Sequence, residues 1–381
     1  MTFSIVRGRM FKATFVDRPN RFLVRCRAGR RGVIEAFLPN PGRLWELLLP
    51  GATLTVEEAR DTATRRTRYT VLAVERDGRP IVLHTHLTNA VAQHLIERRR
   101  IPGLEHAEIV WAEVPVGRSR FDFLLREHGR DLLLEVKSVT LFGNRVAMFP
   151  DAVTERGRRH LLELARLARA GTPTAVLFVI HTLDARWFMP DYHTDPAFSR
   201  TLLDVRPHVR ITPAAIRWTP DLELGRTVRV LDVPWVHLDR EVADRGAYLL
   251  VLRLARRRRI DVGRLGALQF DAGYYVYAGS AMRGLTARIA RHMRLRKRRR
   301  WHIDHLCAAA DGVVALPIRS SRREECAIAA ACAAVLAPGP AGFGCSDCDC
   351  PTHLFHAPDN PLHASAFHDL LQRFRMRPPD A

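Results

Sequence analysis

Apolar and polar positions alternate in a way that divides the chain into successive regions. Between residues 10 and 80, short apolar runs are separated by turn residues, and the runs are Phe22–Val24, Val33–Leu38, Ala52–Val56 and Tyr69–Val74. Several short strands at this spacing are typical of a small β-barrel. The pattern therefore predicts a small β-barrel within residues 1–84.

The next region mixes helical and strand patterns. Residues 88–100 read as a helix with Val91, Leu95 and Ile96 inward, and a second helix is expected from about 152 to 170. Thr174–His181 is a continuous apolar run, as expected of a strand buried on both faces. Strands alternating with helices predict an α/β layer over residues 85–205, within a domain that spans residues 85–236.

Two apolar runs within this domain, Arg120–Arg126 and Asp131–Ser138, flank a polar segment containing Gly129 and predict a β-hairpin. If Arg126 and Asp131 close the turn, Asp122 lies directly opposite Glu135. Cross-strand partners on one face have Cβ atoms roughly 5 Å apart. The two carboxylates would then repel each other unless a cation lay between them.

Lys137 lies two residues beyond Glu135 and shares its face of the strand. Two carboxylates and an ammonium at one point suit a magnesium-dependent phosphodiesterase, because Mg²⁺ prefers oxygen ligands and Lys137 can orient water or stabilise negative charge. The alternative is an exposed acidic edge with a salt-bridged lysine. The apolar flanks favour the functional interpretation, since unpaired buried carboxylates are costly. Glu113 is either a third carboxylate or a salt-bridge partner of Arg118 or Arg120.

A turn of sequence Asn40-Pro-Gly-Arg43 interrupts the barrel strands. Its glycine allows close backbone approach, and Asn40 and Arg43 could clamp a phosphate. The alternative is an ordinary turn with a solvated arginine.

The net charge of the chain indicates which kinds of partner it binds. The chain has 60 Lys and Arg against 40 Asp and Glu, for a net charge of +20. Such an excess favours polyanions, with nucleic acid first and anionic membrane second. The longest apolar run, Cys326–Ala337, is too short to span a bilayer, and the first residues do not resemble a signal peptide. Seven cysteines do not form a secreted-type framework, so a cytoplasmic protein is expected.

A second mixed region, residues 245–375, begins with strands at Gly246 and Gly273. The helix that follows is expected to bury Leu285, Ile289 and Met293. Six of the seven residues in Arg294–Arg300 are cationic, which indicates either phosphate contact or a solvated basic face. The predicted nucleic-acid contacts along the chain are Asn40, Arg43, Arg118, Arg120, Arg296, Lys297 and Arg298.

Cysteines cluster near the end of this region, at Cys345, Cys348 and Cys350, with His353 close behind. Their composition fits zinc, and Cys345-x-x-Cys348 has the usual spacing, with His353 or His356 as a further ligand. Packed or catalytically placed thiols in a tight turn are the alternative.

Several blocks in residues 10–236 resemble the sugar fermentation stimulation protein (SfsA) family. The blocks are Leu38-Pro-Asn-Pro-Gly-Arg-Leu44, Arg120-Phe-Asp-Phe123, Leu134-Glu-Val-Lys-Ser-Val-Thr140 and Phe149–Leu161. The resemblance implies an OB-like barrel followed by a PD-(D/E)xK restriction-nuclease-like core. The family is described as DNA-binding and linked to sugar-utilisation genes, and nuclease activity is implied by its fold.

Residues 245–357 resemble the GIY-YIG nuclease superfamily, and more closely an uncharacterised related type found attached to endonuclease III. The motifs are Gly246-Ala-Tyr248, Tyr277-Ala-Gly279, Arg288–His292, Trp301-His-Ile-Asp304 and the cysteine block, with Ala247 and Ala278 departing from the pattern. The resemblance implies catalytic roles for Tyr277 and His292. It makes Tyr248 a base or water-orienting group, Arg288 a phosphate-stabilising group and Glu325 a Mg²⁺ ligand.

The sequence thus predicts a multidomain α/β and α+β protein that binds DNA and carries a Mg²⁺- or Mn²⁺-dependent nuclease site at Asp122, Glu135 and Lys137, fused to a second nuclease-like domain. The rival interpretation is a transcription regulator that uses a nuclease fold only to grip DNA. An RNA-processing enzyme fits the same charge. Base specificity and oligomeric state stay open.

Overall fold

The protein divides into two compact units in a computed structural model that describes residues 3–59, 67–117, 119–294 and 296–379. The first unit holds the described residues up to Asp191 together with Ala197–Trp235. The second holds Tyr192–Pro196 and Val236–Arg377. Each unit has its own apolar core.

A barrel opens the first unit, as the sequence predicts. Its strands are β1 (Arg9–Asn20), β2 (Leu23–Arg27), β3 (Val33–Phe37), β4 (Thr53–Glu58), β5 (Tyr69–Arg76) and β6 (Arg79–Val82). They follow the order β3-β2-β1-β4-β5-β6, and a parallel pairing of β3 with β5 closes the sheet. The long strand β1 escapes the apolar pattern because it buries only Ala13 and Phe15.

The α/β layer follows within the same unit. Its strands are β7 (Ala107–Val116), β8 (Ser119–Glu127), β9 (Arg130–Val139), β10 (Leu141–Gly143), β11 (Val146–Phe149), β12 (Thr174–Ile180), β13 (Trp187–Pro190), β14 (Arg210–Ala215) and β15 (Arg229–Val230). Its helices are α1 (Thr88–Glu97), α2 (Glu155–Arg169) and α3 (Pro196–Val205). The main sheet has the order β15-β14-β12-β9-β8-β7, and β10-β11-β13 form a small sheet. Strand β12 is buried throughout and runs parallel to both β9 and β14.

The β8–β9 hairpin has the predicted register. Arg126 pairs with Asp131 and Phe123 with Leu134. The turn is tighter than expected, because pairing continues to Glu127 and Arg130 and leaves a two-residue loop. That loop is His128-Gly129, and both residues have positive φ, as a type I′ turn requires.

The second unit is built on the antiparallel sheet β20-β16-β19-β22-β21, beside the two-stranded sheet β17-β18. Its strands are β16 (Gly246–Leu254), β17 (Arg258–Asp261), β18 (Ala267–Phe270), β19 (Gly273–Ala281), β20 (Gly312–Arg319), β21 (Ala337–Pro338) and β22 (Leu354–Ala357). The helices are α4 (Trp235–Glu241), α5 (Leu285–Met293), α6 (His302–Ala309), α7 (Glu325–Ala333) and α8 (Ser365–Arg375).

The buried face of α5 differs from the expected one. Met293 is 44% exposed, whereas His292 is buried. The helix therefore directs His292 inward. Both ring nitrogens of His292 form hydrogen bonds, to Tyr248 and to Asp304, so its burial leaves no polar atom of the ring unpaired. Among the described residues, none of these helices has the length and apolar character needed to cross a bilayer.

Candidate functional site

The predicted carboxylate pair lies where two helices meet the main sheet of the first unit. Asp122 comes from β8 and Glu135 from β9, and α1 and α2 each direct one polar side chain toward them. Glu135 and Lys137 share the strand face that also carries Leu133 and contributes to the core with α2. Both are therefore held by packed elements rather than by loops.

Glu135 is buried, and its two carboxylate oxygens differ. Oε1 accepts hydrogen bonds from the Lys137 ammonium and from Nδ1 of His160 at 2.6 Å. Among the described residues, Oε2 is buried without a hydrogen-bond partner. Burial opposes ionisation, but the hydrogen bond from His160 and the charge of Lys137 outweigh it and lower the pKa of Glu135. Glu135 is therefore a charged buried carboxylate with one free oxygen.

Asp122 is held from both sides. Its Oδ1 accepts from the Asn89 side chain at 2.7 Å and its Oδ2 from the backbone N–H of Val136 at 2.6 Å. Burial raises the pKa of Asp122, the charge of Glu135 raises it further, and these two hydrogen bonds oppose the rise. The charge of Glu135 thus acts on the Asp122 carboxyl, so the two carboxylates influence each other electrostatically.

A cavity of about 540 Å³ opens in front of this pair. Asp122 and Lys137 line it, whereas Glu135 is buried and is not among the lining residues. Exposed Arg21 and Arg156 also line the cavity and place positive charge at its edge. An anionic ligand would therefore meet three cationic side chains on its way to the carboxylates.

The Asn-Pro-Gly-Arg turn of the barrel lines the same cavity through Asn40 and Gly42. Asn40 is buried, and its side-chain oxygen accepts the Gly42 N–H at 2.9 Å. Arg18 donates to four backbone oxygens around the turn, those of Arg21, Asn40, Gly42 and Arg43. The close approach that glycine permits is to the Asp151 carboxylate, since a Cβ on Gly42 would lie 2.3 Å from its Oδ2.

Of the other predicted nucleic-acid contacts in this unit, Arg43 and Arg120 are described and both lie at the surface. Arg43 is exposed, with its guanidinium 5.0 Å from the centre of the Trp45 ring. Arg120 forms an exposed salt bridge with Glu113, N to O at 2.9 Å, which favours the salt-bridge alternative for Glu113. Arg118 lies outside the described residues.

In the second unit, the tyrosine of the first motif belongs to a buried polar chain. The Tyr248 hydroxyl bonds His292 Nε2 at 2.9 Å, and His292 Nδ1 bonds Asp304 at 3.2 Å. Asp304 is fully buried and also accepts both terminal nitrogens of Arg291, at 2.9 and 3.0 Å. Burial lowers the pKa of His292 to about 4 and raises that of Tyr248. Tyr248 is therefore a protonated hydroxyl that donates to a neutral imidazole.

The remaining predicted residues of that unit surround Tyr248. Tyr277 lies on the paired strand, with ring centres 6.3 Å apart, and burial raises its pKa. Arg288 lies over the Trp301 ring at 4.2 Å, and its charge acts on both tyrosines. Glu325 accepts from Ser280 and bonds Nδ1 of His353 at 3.2 Å.

The basic run is divided between surface and interior. Arg294, Arg296, Arg298, Arg299 and Arg300 are exposed. The ammonium of Lys297, one of the predicted nucleic-acid contacts, donates to the His292 carbonyl at 2.5 Å and lies 3.6 Å from Asp304. Its side chain is only 6% exposed, so it neutralises a buried carboxylate.

The cysteine cluster has a different membership from the predicted one. Ligand atoms of Cys326, Cys348, Cys350 and His353 all lie within 4.8 Å of one another. Cys345 is absent from this group, and Cys326 at the start of α7 takes its place. The fold brings Cys326 of α7 beside the cysteine loop. The spacing of residues within the loop cannot predict this tertiary contact.

Three further residues matter that the sequence does not single out for the site. Asn89 in the first turn of α1 donates to Asp122, and His160 of α2 bonds Glu135. Asp304 accepts from Arg291 and lies beside the Lys297 ammonium. The position of His160 along α2 does not by itself decide whether its side chain faces the site or the solvent. Asn89 has no distinctive signal, whereas the Trp-His-Ile-Asp motif contains Asp304 and could have marked it.

The fold and the site define a mixed α/β multidomain protein in which a β-barrel and an α/β layer share a carboxylate-bearing cavity, followed by a second α+β unit. Residues 16–83 match the SfsA N-terminal OB domain, and residues 86–221 match the sugar fermentation stimulation protein RE domain. Residues 247–376 match a domain of unknown function, DUF123. The chain belongs to the sugar fermentation stimulation protein family.

Individual relatives cover its first half. A sugar fermentation stimulation protein homolog of Chloroflexus aurantiacus is 42% identical over 197 residues, 52% of this chain and 75% of the relative. A homolog of Methanothermobacter thermautotrophicus is 36% identical over 203 residues, 53% of this chain and 83% of the relative. The solved structure of Pyrococcus furiosus SfsA in complex with Ca²⁺ is 29% identical, with a TM-score of 0.55, and the match covers 61% of this chain and 99% of that one.

Proposed function

We propose that the first unit is a nucleic-acid-binding, Mg²⁺- or Mn²⁺-dependent phosphodiesterase of PD-(D/E)xK type, with DNA as its substrate. The observation that carries the proposal is the buried Glu135, whose Oε2 has no hydrogen-bond partner among the described residues, beside the second carboxylate Asp122. In this assignment residues 1–84 are the binding barrel and 85–236 the nuclease core.

The donor set fits a hard divalent cation. Mg²⁺ is usually held by one or two carboxylates, with waters and substrate phosphates completing its octahedron. Asp122 and Glu135 supply two carboxylates, and an unpaired buried oxygen is costly unless a ligand satisfies it. The Pyrococcus furiosus relative was solved with Ca²⁺, another cation that takes oxygen ligands. When bound, the cation would polarise the phosphate and lower the pKa of a water.

The chain's own groups prepare the site for such a ligand. Asn89 and the Val136 N–H fix the Asp122 carboxylate, and His160 fixes Glu135 through Oε1. Lys137 lies between Glu135 and the cavity, where its ammonium can hold a phosphate oxygen or orient a water. Both carboxylates are thus fixed in place by neighbouring groups.

The cavity edge is suited to a nucleic-acid backbone. Arg21 of the barrel and Arg156 of α2 line the opening, and Arg43 is exposed on the adjacent turn. Cationic side chains of this kind bind phosphates without regard to base sequence. The net charge of +20 supplies the long-range attraction.

For residues 245–375, which lie within the second unit, we propose a GIY-YIG-like fold that chiefly binds nucleic acid. Tyr248, Tyr277, Arg288, His292 and Glu325 surround one region, which supports the fold assignment. Burial raises the pKa of Tyr248, and its hydroxyl is already bonded to His292, so it is poorly suited to act as a base. The exposed arginines of Arg294–Arg300 suit phosphate contact.

One observation favours the rival, a regulator of sugar-utilisation genes that binds DNA without cutting it. The Lys137 ammonium and His160 already satisfy Glu135 Oε1, as they would in a structural ion pair. This rival requires no metal at Asp122 and Glu135, so metal binding separates the two interpretations.

Calorimetry of the full chain with Mg²⁺ makes that separation, because thiolates bind Mg²⁺ poorly and leave the carboxylates as the expected ligands. We expect saturable binding that Asp122→Asn and Glu135→Gln weaken strongly and Lys137→Met preserves. Glu163→Gln on the exposed side of α2 is the matched control and should bind as the wild type does. No binding by the wild type, or unchanged binding by Glu135→Gln, would refute the metal site.

A further inference from the structure

In the second unit, three cysteine sulfurs and one histidine nitrogen lie close enough together to bind one metal ion. The thiols of Cys326, Cys348 and Cys350 and the ring of His353 place one ligand atom each within 4.8 Å of all the others. In a tetrahedral site with Zn–S near 2.3 Å and Zn–N near 2.0 Å, ligand atoms lie about 3.5–3.8 Å apart. The Cys348 sulfur and His353 Nε2 are 3.4 Å apart, close to that spacing.

The orientation of His353 supports a metal more than a packed thiol cluster. Its ring is buried, and Nδ1 bonds the Glu325 carboxylate at 3.2 Å. That bond places the proton on Nδ1 and leaves the Nε2 lone pair directed at the cysteines. A carboxylate behind a ligating histidine is the usual support of a zinc site. Ser280 in turn donates to Glu325 and fixes it.

The backbone around the ligands is anchored by hydrogen bonds that frame the loop. Gly342 N–H donates to the Pro351 carbonyl and His353 N–H to the Phe343 carbonyl, both at 2.9 Å. The Ala278 N–H of β19 donates to the His353 carbonyl at 2.9 Å. Phe343 is fully buried at the base of the loop. The ligands are therefore presented by fixed elements, with Cys326 supplied separately by α7.

We propose that Cys326, Cys348, Cys350 and His353 bind one structural Zn²⁺, with Glu325 as the residue that positions His353. Three thiolates and an imidazole form a closed Cys₃His site of the structural kind. Four protein ligands leave no open position, so the ion would hold the loop rather than perform chemistry. The inference does not rest on the proposed nuclease site of the first unit.

The site has a consequence for the tyrosine region beside it. A Cβ on Gly344 would lie 2.6 Å from Tyr277 Cε2, so the cysteine loop packs directly against that ring. Bound zinc would then fix the cysteine loop where it packs against Tyr277. Glu325, which resemblance makes a Mg²⁺ ligand, would serve the zinc instead.

The test uses the full chain purified under reducing conditions without a metal-affinity tag. Elemental analysis should find about one zinc per chain, and a mercurial reagent should release it to a chromogenic chelator. Cys326→Ser should lose the zinc, while Cys345→Ser should keep it. These two variants are matched, because Cys345 is the loop cysteine outside the set and Cys326 is exposed on the surface of α7.

Two further measurements keep the result interpretable if a variant misfolds. Wild-type protein stripped by chelation should take up Co²⁺ and show thiolate charge-transfer absorption. Glu325→Gln should still bind zinc, with a Kd raised about 10–100-fold. A reduced wild type that takes up no metal, a disulfide in place of free thiols, or zinc lost in Cys345→Ser but kept in Cys326→Ser would each overturn the proposal.

Discussion

At the scale of single residues, the contacts of Glu135 reverse an expectation that its position alone suggests. Two facing carboxylates repel, so removing one charge should stabilise the fold. The structure adds Lys137 and His160, both bonded to Glu135 Oε1, and these attractions lower the pKa of Glu135 despite its burial. Attraction therefore exceeds repulsion at this residue.

Glu135→Gln is accordingly expected to destabilise the metal-free protein by about 1–3 kcal/mol, the cost of weakening a buried charged hydrogen bond. Urea unfolding in EDTA measures it. The control Glu163→Gln removes an exposed salt bridge with Arg166 and should cost less than about 1 kcal/mol. A more stable Glu135→Gln protein would show that repulsion from Asp122 dominates instead.

His181 provides a pH test away from the proposed metal ligands. It is buried, bonds Ser138 through Nε2 at 3.0 Å and accepts from Trp218 at Nδ1 at 2.9 Å. Burial lowers its pKa from 6.5 to about 4. Between pH 4 and pH 6.5, His181 therefore binds a proton in the unfolded chain but not in the folded chain. The stability due to neutral His181 is full above pH 6.5 and declines as the pH falls toward 4.

Between pH 7.5 and 5.0 this group should account for about 2 kcal/mol of lost stability. His181→Asn can still accept from Trp218 at the position of Nδ1 and does not titrate, so its unfolding free energy should fall less over that range. The exposed His208→Asn is the control and should follow the wild type. Identical pH profiles for His181→Asn and wild type would show that His181 does not contribute.

At the scale of elements, the barrel turn approaches the α/β layer closely at Asp151. A Cβ on Gly42 would lie 2.3 Å from Asp151 Oδ2, and Asp151 also accepts the Leu44 N–H at 3.3 Å. Gly42→Ala must move either the turn or the carboxylate, at a cost of about 1–3 kcal/mol. Gly312→Ala has open space around its Cβ and should be nearly neutral. Thermal unfolding compares the two, and equal melting temperatures would contradict the contact.

The elements also show what the sequence can and cannot predict. The β8–β9 register, with Phe123 paired to Leu134 and Arg126 to Asp131, follows from strand periodicity and a short turn, so the local pattern suffices to predict it. Cys326 could not be placed from spacing, because it reaches the cysteine loop only through the tertiary position of α7. The helical pattern predicts a buried Met293, and this is wrong because the hydrogen bond between His292 and the buried Asp304 turns His292 inward instead.

At the scale of the whole molecule, the net charge of +20 predicts strong salt dependence of nucleic-acid binding. Neutralising six phosphates would give a log–log slope of about −5 on duplex DNA. Replacing exposed Arg296 and Arg298 with alanine should reduce the magnitude of the slope by about 2. Lys297→Met should lower stability without changing the slope, because its charge serves Asp304. A flat salt dependence would remove nucleic acid as the main partner.

The central claim is that Asp122, Glu135 and Lys137 form a metal-dependent nuclease site. The most direct test incubates the full chain with labelled single- and double-stranded DNA and RNA in Mg²⁺, Mn²⁺ or EDTA. We predict cleavage of DNA with either metal, none with EDTA, and a loss of about 100-fold or more in Lys137→Met. Binding without cleavage of any substrate in either metal would contradict the claim and favour the regulator. Cleavage that survives Lys137→Met but not Tyr248→Phe would place the chemistry in the second unit.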